Sequence, residues 1–235
     1  MKWFIGTAGW SYAPWRGLFY PKGLPSGDWL GYYAQHFNAI EINNTFYRIP
    51  GAKQIQIWEN KTPDDFTFAF KAFRNITHLT KLADPETTLP EFMLPMAART
   101  RPGPILFQLP PGFKKDMARL KAFIDALPKP QRYTIEFRNP SWHVDEVYDL
   151  LRAAEIAFCM FEKENARSPR IKTAGFTYLR LHGRERGYKG NYDLPALKDW
   201  RDWLTEQRVD AYVFFDNTAR GIEAIENAKL LQDIV

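Results

Sequence analysis

Short apolar runs recur along the chain, most alternating apolar with polar residues, each closed by Gly, Pro or polar positions. They fall at 4–9, 39–43, 66–73, 104–109, 133–138, 156–162, 176–182 and 211–217, and together they predict eight β-strands. The segments between, 26–37, 52–60, 85–99, 114–127, 144–155, 194–207 and 219–231, read as helices. Asp193 and Thr218 stand where the last two helices would take an N-cap. Between the sixth and seventh strands roughly a dozen residues remain, too few for a crossover helix with its loops. The sixth helix is therefore expected to be a single turn or missing.

Strands alternating with helices over 235 residues predict an α/β chain forming a single domain, 1–235, of the (β/α)₈ TIM-barrel type. An open doubly wound sheet would place a phosphate-binding Gly-rich loop after its first strand. Neither G-x-G-x-x-G nor a Walker loop follows 4–9, and polar residues gather at strand C-terminal ends throughout the chain.

In a parallel barrel the outward strand positions face helices and are apolar, whereas inward positions near the C-terminal mouth carry function. With a period of two, Ile40 and Ile42 point out, so Glu41 and Asn43 point in. The same rule turns Thr134, Glu136 and Arg138 inward on the fifth strand, Tyr178, Arg180 and His182 on the seventh, Lys71 on the third and Gln108 on the fourth. The sixth strand ends at Glu162. Alternation does not settle the facing of Asp216 and Asn217 at the end of the eighth. Glu41, Glu136, Glu162 and Asp216 are thus expected to face Lys71, Arg138, Arg180 and His182, a nearly self-compensating set.

Composition narrows the classes. The chain is 45% hydrophobic, enough for a sizeable core, and no apolar run approaches the roughly 18 residues of a membrane span. Met1 leads directly into strand-like sequence rather than a cleavable leader, and a single cysteine, Cys159, fits a reducing compartment, so a cytoplasmic location and no membrane partner are expected. A net charge of +5 is too mild to indicate nucleic acid by itself.

Several motifs, in fixed order, resemble the YecE-like family, catalogued as domain of unknown function 72: "GTAGWSYAPWRGLFYPKGLP", "FNAIEINNTFYRIP", "FAFKAFRNITH", "ILFQLPP", "TIEFRNPSW", "YLRLHGR" with "GYKGNYD", and "FFDNTARGIEAIENAKLL". The resemblance covers essentially the whole chain. It implies a TIM barrel with a pocket at the C-terminal mouth and no established reaction, related in fold to endonuclease IV and sugar isomerase barrels. By motif it carries over Glu41, Asn43, Lys71, His78, Gln108, Glu136, Arg138, Arg180, His182, Tyr192 and Asn217 as site positions. The family pattern tends to Asp where this chain has Glu162 and to Asn-Asn where it has Asp216-Asn217, so charge at the pocket floor is expected to differ.

Glu41 and Glu136 are the acid/base candidates, one held ionised by arginine and the other kept protonated by burial, with His182 as proton shuttle. Arg138 lies two residues from Glu136 on the same face, placed to lower its pKa or to grip an anion. Pairing with a carboxylate is expected for Lys71 in preference to a Schiff-base role. No cofactor is expected. With four histidines in the chain, a divalent ion on Glu41, Glu136 and Asp216 is the weaker alternative. The loop "HGRERGYKGNYD", with Arg184, Arg186, Tyr188, Lys189 and Tyr192, and the helix start "NTARG" point to phosphate or carboxylate recognition. The aromatic loop "GWSYAPWRGLFYP" is expected to pack its own small core.

The function expected is action on, or binding of, a small anionic ligand such as a sugar or nucleotide phosphate, with asparagine, lysine, histidine, glutamine, arginine and tyrosine side chains of the mouth as contacts. A nucleic-acid-binding or phosphodiester-cleaving barrel and a non-catalytic ligand-binding protein are the alternatives, and the oligomeric state is not legible.

Overall fold

The alternating runs become eight parallel strands: β1 (Trp3–Thr7), β2 (Ala39–Ile42), β3 (Thr67–Lys71), β4 (Pro102–Leu109), β5 (Tyr133–Phe137), β6 (Ala157–Lys163), β8 (Phe176–Leu181) and β9 (Asp210–Phe215). A two-residue strand, β7 (Ala166–Arg167), folds back antiparallel on β6. These elements come from a computed structural model that describes residues 1–164 and 166–235. The strands run in the order β1-β9-β8-β6-β5-β4-β3-β2. The helices α1 (Trp29–Tyr33), α2 (Ala52–Asn60), α3 (Pro85–Met96), α4 (Met117–Asp125), α5 (Asp145–Ala153), α6 (Leu194–Glu206) and α7 (Glu223–Gln232) alternate with them. The result is a nearly closed TIM barrel, as the periodicity predicts.

Between β1 and β2 the seam is closed largely by side chains. Asn38 accepts from Ile5 N at 3.0 Å and donates to Trp3 O at 2.7 Å, the Tyr33 hydroxyl accepts from Thr7 N at 2.8 Å, and a single bridge joins Ala8 to Glu41. Gly6 makes this approach feasible, because a Cβ built there would sit 1.9 Å from the Ala39 carbonyl oxygen. Backbone cannot yield as a flexible side chain would. Gly6→Ala is therefore expected to cost about 3 kcal/mol, the upper end for overpacking, read as a lowered urea midpoint; an unchanged midpoint would show that the seam is looser than this.

No helix forms among the described residues between β6 and β8, in line with the short crossover. The β7 hairpin and the following loop cover β6 instead: Ser168 Oγ accepts from Phe161 N at 2.9 Å, and Thr173 Oγ1 accepts from Phe158 N at 2.7 Å. Asp193 caps α6, accepting from Ala196 N at 3.0 Å. Thr218 does not cap α7. That helix begins at Glu223 because Gly221, with φ of +36°, turns the chain just before it. The first helix is also shorter than expected, a 3₁₀ turn over Ser26–Asp28 leading into α1.

Alternation sorts the two cores. Ile40, Ile42, Phe68, Phe70, Ile135, Phe137, Leu179 and Leu181 pack outward with the helices. Ala39, Ala69, Leu106, Ala157, Cys159, Phe176, Tyr178, Tyr212 and Phe214 fill the barrel lumen. The charged layer lies directly above this lumen plug. No helix among the described residues is long and apolar enough to cross a membrane.

Candidate functional site

Arg180, 1% exposed, organises the mouth. Its Nη2 lies 2.7 Å from Glu41 Oε1 and 3.2 Å from Asp216 Oδ2, its Nη1 donates to Glu136 Oε2 at 2.8 Å, and its Nε reaches both Glu41 oxygens at 3.0 and 3.1 Å. One planar guanidinium thus joins carboxylates from β2, β5 and the end of β9, a geometry that suits Arg and not Lys. Glu41 also accepts from the Tyr178 hydroxyl at 2.7 Å, and Glu136 Oε1 accepts from Arg138 Nε. Asp216 faces inward, which alternation had left unsettled.

His182 is locked into one tautomer. Its Nε2 lies 3.1 Å from Arg138 Nη2 and 3.3 Å from Arg180 Nη1, and guanidinium nitrogens can only donate, so Nε2 carries the lone pair. The proton then sits on Nδ1, 2.9 Å from Asp216 Oδ2. Burial and the adjacent Arg180 hold the ring neutral, with its pKa pushed down to about 4. Glu136 is affected oppositely. Burial raises its pKa, but Arg138 and Arg180 outweigh that and leave it well below the usual carboxylate range. These contacts revise the acid/base expectation: Glu136 is not kept protonated, and the acceptor nitrogen of His182 is already engaged by two arginines. Both glutamates are fully buried.

The groups with open valences lie at the rim. Lys71, ending β3, has its Nζ 4.4 Å from the Phe46 ring centroid and no carboxylate oxygen within 4.0 Å among the described residues. The carboxylate pairing expected for it is not formed, because Arg180 already occupies the acids. Arg138 spends Nε and Nη2 on Glu136 and His182, leaving Nη1 without a partner among the described residues. His78, on the turn after β3, packs edge-on to Phe46 at 4.7 Å; burial, then Lys71 and Arg138, push its pKa down to about 4. Gln108 is paired in register with Glu136 on the adjacent strand and donates to Leu109 O at 2.9 Å. β2 and β3 run with Ile42 opposite Phe70, which brings Asn43 level with Lys71, and the buried Asn43 Oδ1 has no partner. Tyr188 leans over His182 at 5.7 Å.

Other expected contacts fall elsewhere. Tyr192 is 1% exposed, its hydroxyl accepting from Gly183 N at 3.0 Å while its backbone pairs with Asn227; Asn217 is buried against Asn227 and Gly190 O. Both fasten the β8 loop to α7 instead of facing the mouth. Glu162 points out of the barrel to Trp200 Nε1 at 3.1 Å and Arg167 at 2.8 Å, because inward positions on β6 are Cys159 and Phe161. Arg184 pairs with Glu162 at 3.4 Å and Asp193 at 3.6 Å, so it is not a free phosphate ligand. The start of α7 carries Glu223 and Glu226 in its first turn, unsuited to the anion role expected of that terminus. The carboxylates named as a divalent set converge on the Arg180 guanidinium, and no cluster of three or more His, Cys, Asp or Glu among the described residues is arranged for a metal.

Tyr178, expected to point inward, is not among the expected site contacts, and neither is Phe46. Tyr178 shares the inward register of Arg180, a signal available from alternation; Phe46 lies in a loop whose path no periodicity fixes. Aromatics of the first loop pack on one another, the buried Trp15 against Phe19 and Tyr20, and Phe19 against Tyr20 at 4.8 Å, but they merge with the outer core instead of forming a separate one, Tyr20 stacking on Trp29 of α1 at 4.6 Å. Trp142 is buried too, with Nε1 donating to Phe113 O at 2.7 Å, so neither Trp15 nor Trp142 offers a face to a nucleic-acid base.

Comparison with known proteins places this geometry in a family. The model described as "Protein of unknown function DUF72" matches residues 4–235. The UPF0759 protein YecE of Escherichia coli is 35% identical over 143 residues, which are 59% of this chain and 49% of YecE, so the match spans about half the length of that relative. A crystal structure of a DUF72 family protein from Thermotoga maritima superposes with a TM-score of 0.84 at 28% identity, covering 100% of this chain and 99% of that one. A xylose isomerase-like TIM barrel/4-hydroxyphenylpyruvate dioxygenase fusion protein shares the fold alone, with a TM-score of 0.54 at 13% identity over 97% of this chain and 41% of that one.

Proposed function

The chain belongs to the DUF72 family, and from that premise we propose that its barrel mouth binds a small organic anion, a carboxylate or phosphate ester, between Arg138 Nη1 and Lys71 Nζ. One observation carries the proposal: Arg180 spends its donors on Glu41, Glu136 and Asp216, whereas Arg138 Nη1 and Lys71 Nζ have no hydrogen-bonding or carboxylate partner among the described residues. Beneath them Glu136, Arg180, Glu41, Asp216 and His182 form a fixed platform, so little reorganisation is needed when a ligand arrives. Lys71 and Arg138 both lower the pKa of His78, which supports reading the rim beside them as a shared positive locus.

Calorimetric titration with malonate and with inorganic phosphate tests this. Binding of at least one anion is expected, weakened about tenfold or more, some 1.4 kcal/mol, by Arg138→Gln. Binding that is absent, or equal in the variant, would refute it.

A further inference from the structure

Resting on the anion-binding reading above and naming its substrate class, we propose that Lys71 is a nucleophilic amine that condenses with the carbonyl group of a small anionic aldehyde or 2-oxo acid, forming a Schiff base at the barrel mouth.

Lys71 is held for such a role. Its backbone oxygen accepts from Thr45 Oγ1 at 2.5 Å, Ala72 N donates to Leu106 O at 2.8 Å, and the Phe46 ring bounds the amine at 4.4 Å. The neighbouring charges are unusual for a lysine among carboxylates. From β2, β5 and the end of β9 it feels Glu41, Glu136 and Asp216; from β8 it feels Arg180; and it acts in turn on His78 in the turn that follows β3. The acids are already neutralised at hydrogen-bond distance by Arg180 and Arg138, whereas among the described residues no acid lies within 4.0 Å of Nζ. Burial first, and then Arg180, bring the amine down to about 8, against the opposing pull of Glu136, Asp216 and Glu41. A substantial fraction is therefore the neutral amine that attacks carbonyls near physiological pH. An ordinary lysine, titrating near about 10.4, offers far less.

The chemistry balances without a further reactant. The Nζ lone pair bonds to the carbonyl carbon and the C–O π pair moves to oxygen. Both hydrogens of the neutral amine leave with that oxygen as water, and the imine takes one proton from solvent to become the iminium. Arg138 Nη1 is the group placed to hold the substrate's carboxylate or phosphate.

The simpler alternative makes Lys71 a distant counter-charge for the acids, which predicts no covalent reactivity. The two are separated by incubating the folded protein with glyoxylate or with uncharged glycolaldehyde, trapping iminium with cyanoborohydride, and mapping modified lysines by mass spectrometry. With glyoxylate, Lys71 is expected to be labelled about tenfold faster than the median surface lysine, half-maximally near pH 8. That advantage should disappear in Arg138→Gln, while labelling by glycolaldehyde persists. Labelling of Lys71 no faster than surface lysines by either aldehyde overturns the inference. If malonate binding still depends on Arg138 in that case, the anion site stands and only the Schiff base fails. Preferential labelling by glycolaldehyde with no advantage for glyoxylate overturns the assigned substrate class together with the anion site.

Discussion

Arg180→Leu is expected to lower stability by about 5 kcal/mol or more, enough to unfold a domain whose total is commonly about 5–15 kcal/mol. The leucine fills part of the space but leaves Glu41, Glu136 and Asp216 without their shared guanidinium, in a layer where both glutamates are fully buried. Losing one partner of a single buried pair typically costs about 3–5 kcal/mol, and here one residue serves three. Arg180→Lys keeps the charge but cannot span three carboxylates with one tetrahedral ammonium, so an intermediate loss of about 2–3 kcal/mol is expected. Urea unfolding of both variants checks the order. If Arg180→Leu stays within about 1 kcal/mol of the parent protein, the network contributes little and its charges are better solvated than their burial implies. A cycle with Glu41→Gln localises the effect, since residues in direct contact should couple by about 1–3 kcal/mol.

The barrel and the inward direction of this network were legible because the two faces of a parallel strand differ in what they tolerate. Ile40 and Ile42 must meet helices, which leaves Glu41 only the lumen; the same logic oriented Glu136, Arg180 and His182. Alternation reports a face and not a partner. It could not show that Arg180, with Arg138, Tyr178 and His182, would satisfy the acids and so leave Lys71 unpaired, because that depends on how far each side chain reaches across the lumen. Glu162 failed although alternation could have oriented it: Cys159 turns inward and Phe158 and Met160 outward, so Glu162 faces out, beside Arg167 of β7. Tyr192 and Asn217 failed because a motif preserves positions without distinguishing ligand contacts from residues that fasten a loop. The late start of α7 turned on the φ of Gly221, which composition does not reveal.

The same network should make stability fall with acid well before its carboxylates titrate. His182 is neutral in the folded protein, with its pKa lowered from 6.5 to about 4. Between those values the unfolded chain binds a proton that the folded chain refuses, so this contribution is present above about pH 6.5 and is lost as pH falls toward about 4. At about 1.4 kcal/mol per pH unit the loss approaches 3 kcal/mol. Glu136 and Asp216, depressed below their ordinary values, act in a lower window: their contribution is present above the unfolded carboxylate range near about 4 and is lost as pH falls through the folded values. His78 shares the higher window, so His182 must be isolated by difference. Glutamine is the informative replacement: its oxygen can accept from Arg138 and Arg180, its amide can donate to Asp216, and it has no proton to gain. His182→Gln should cost about 1–2 kcal/mol at about pH 7.5 yet match or exceed the parent protein at about pH 4.5. Parallel stability curves for the two proteins across that interval would mean that the imidazole is protonated in the folded state, and with it the donor and acceptor assignment that binds His182 between Asp216 and the two arginines would fall.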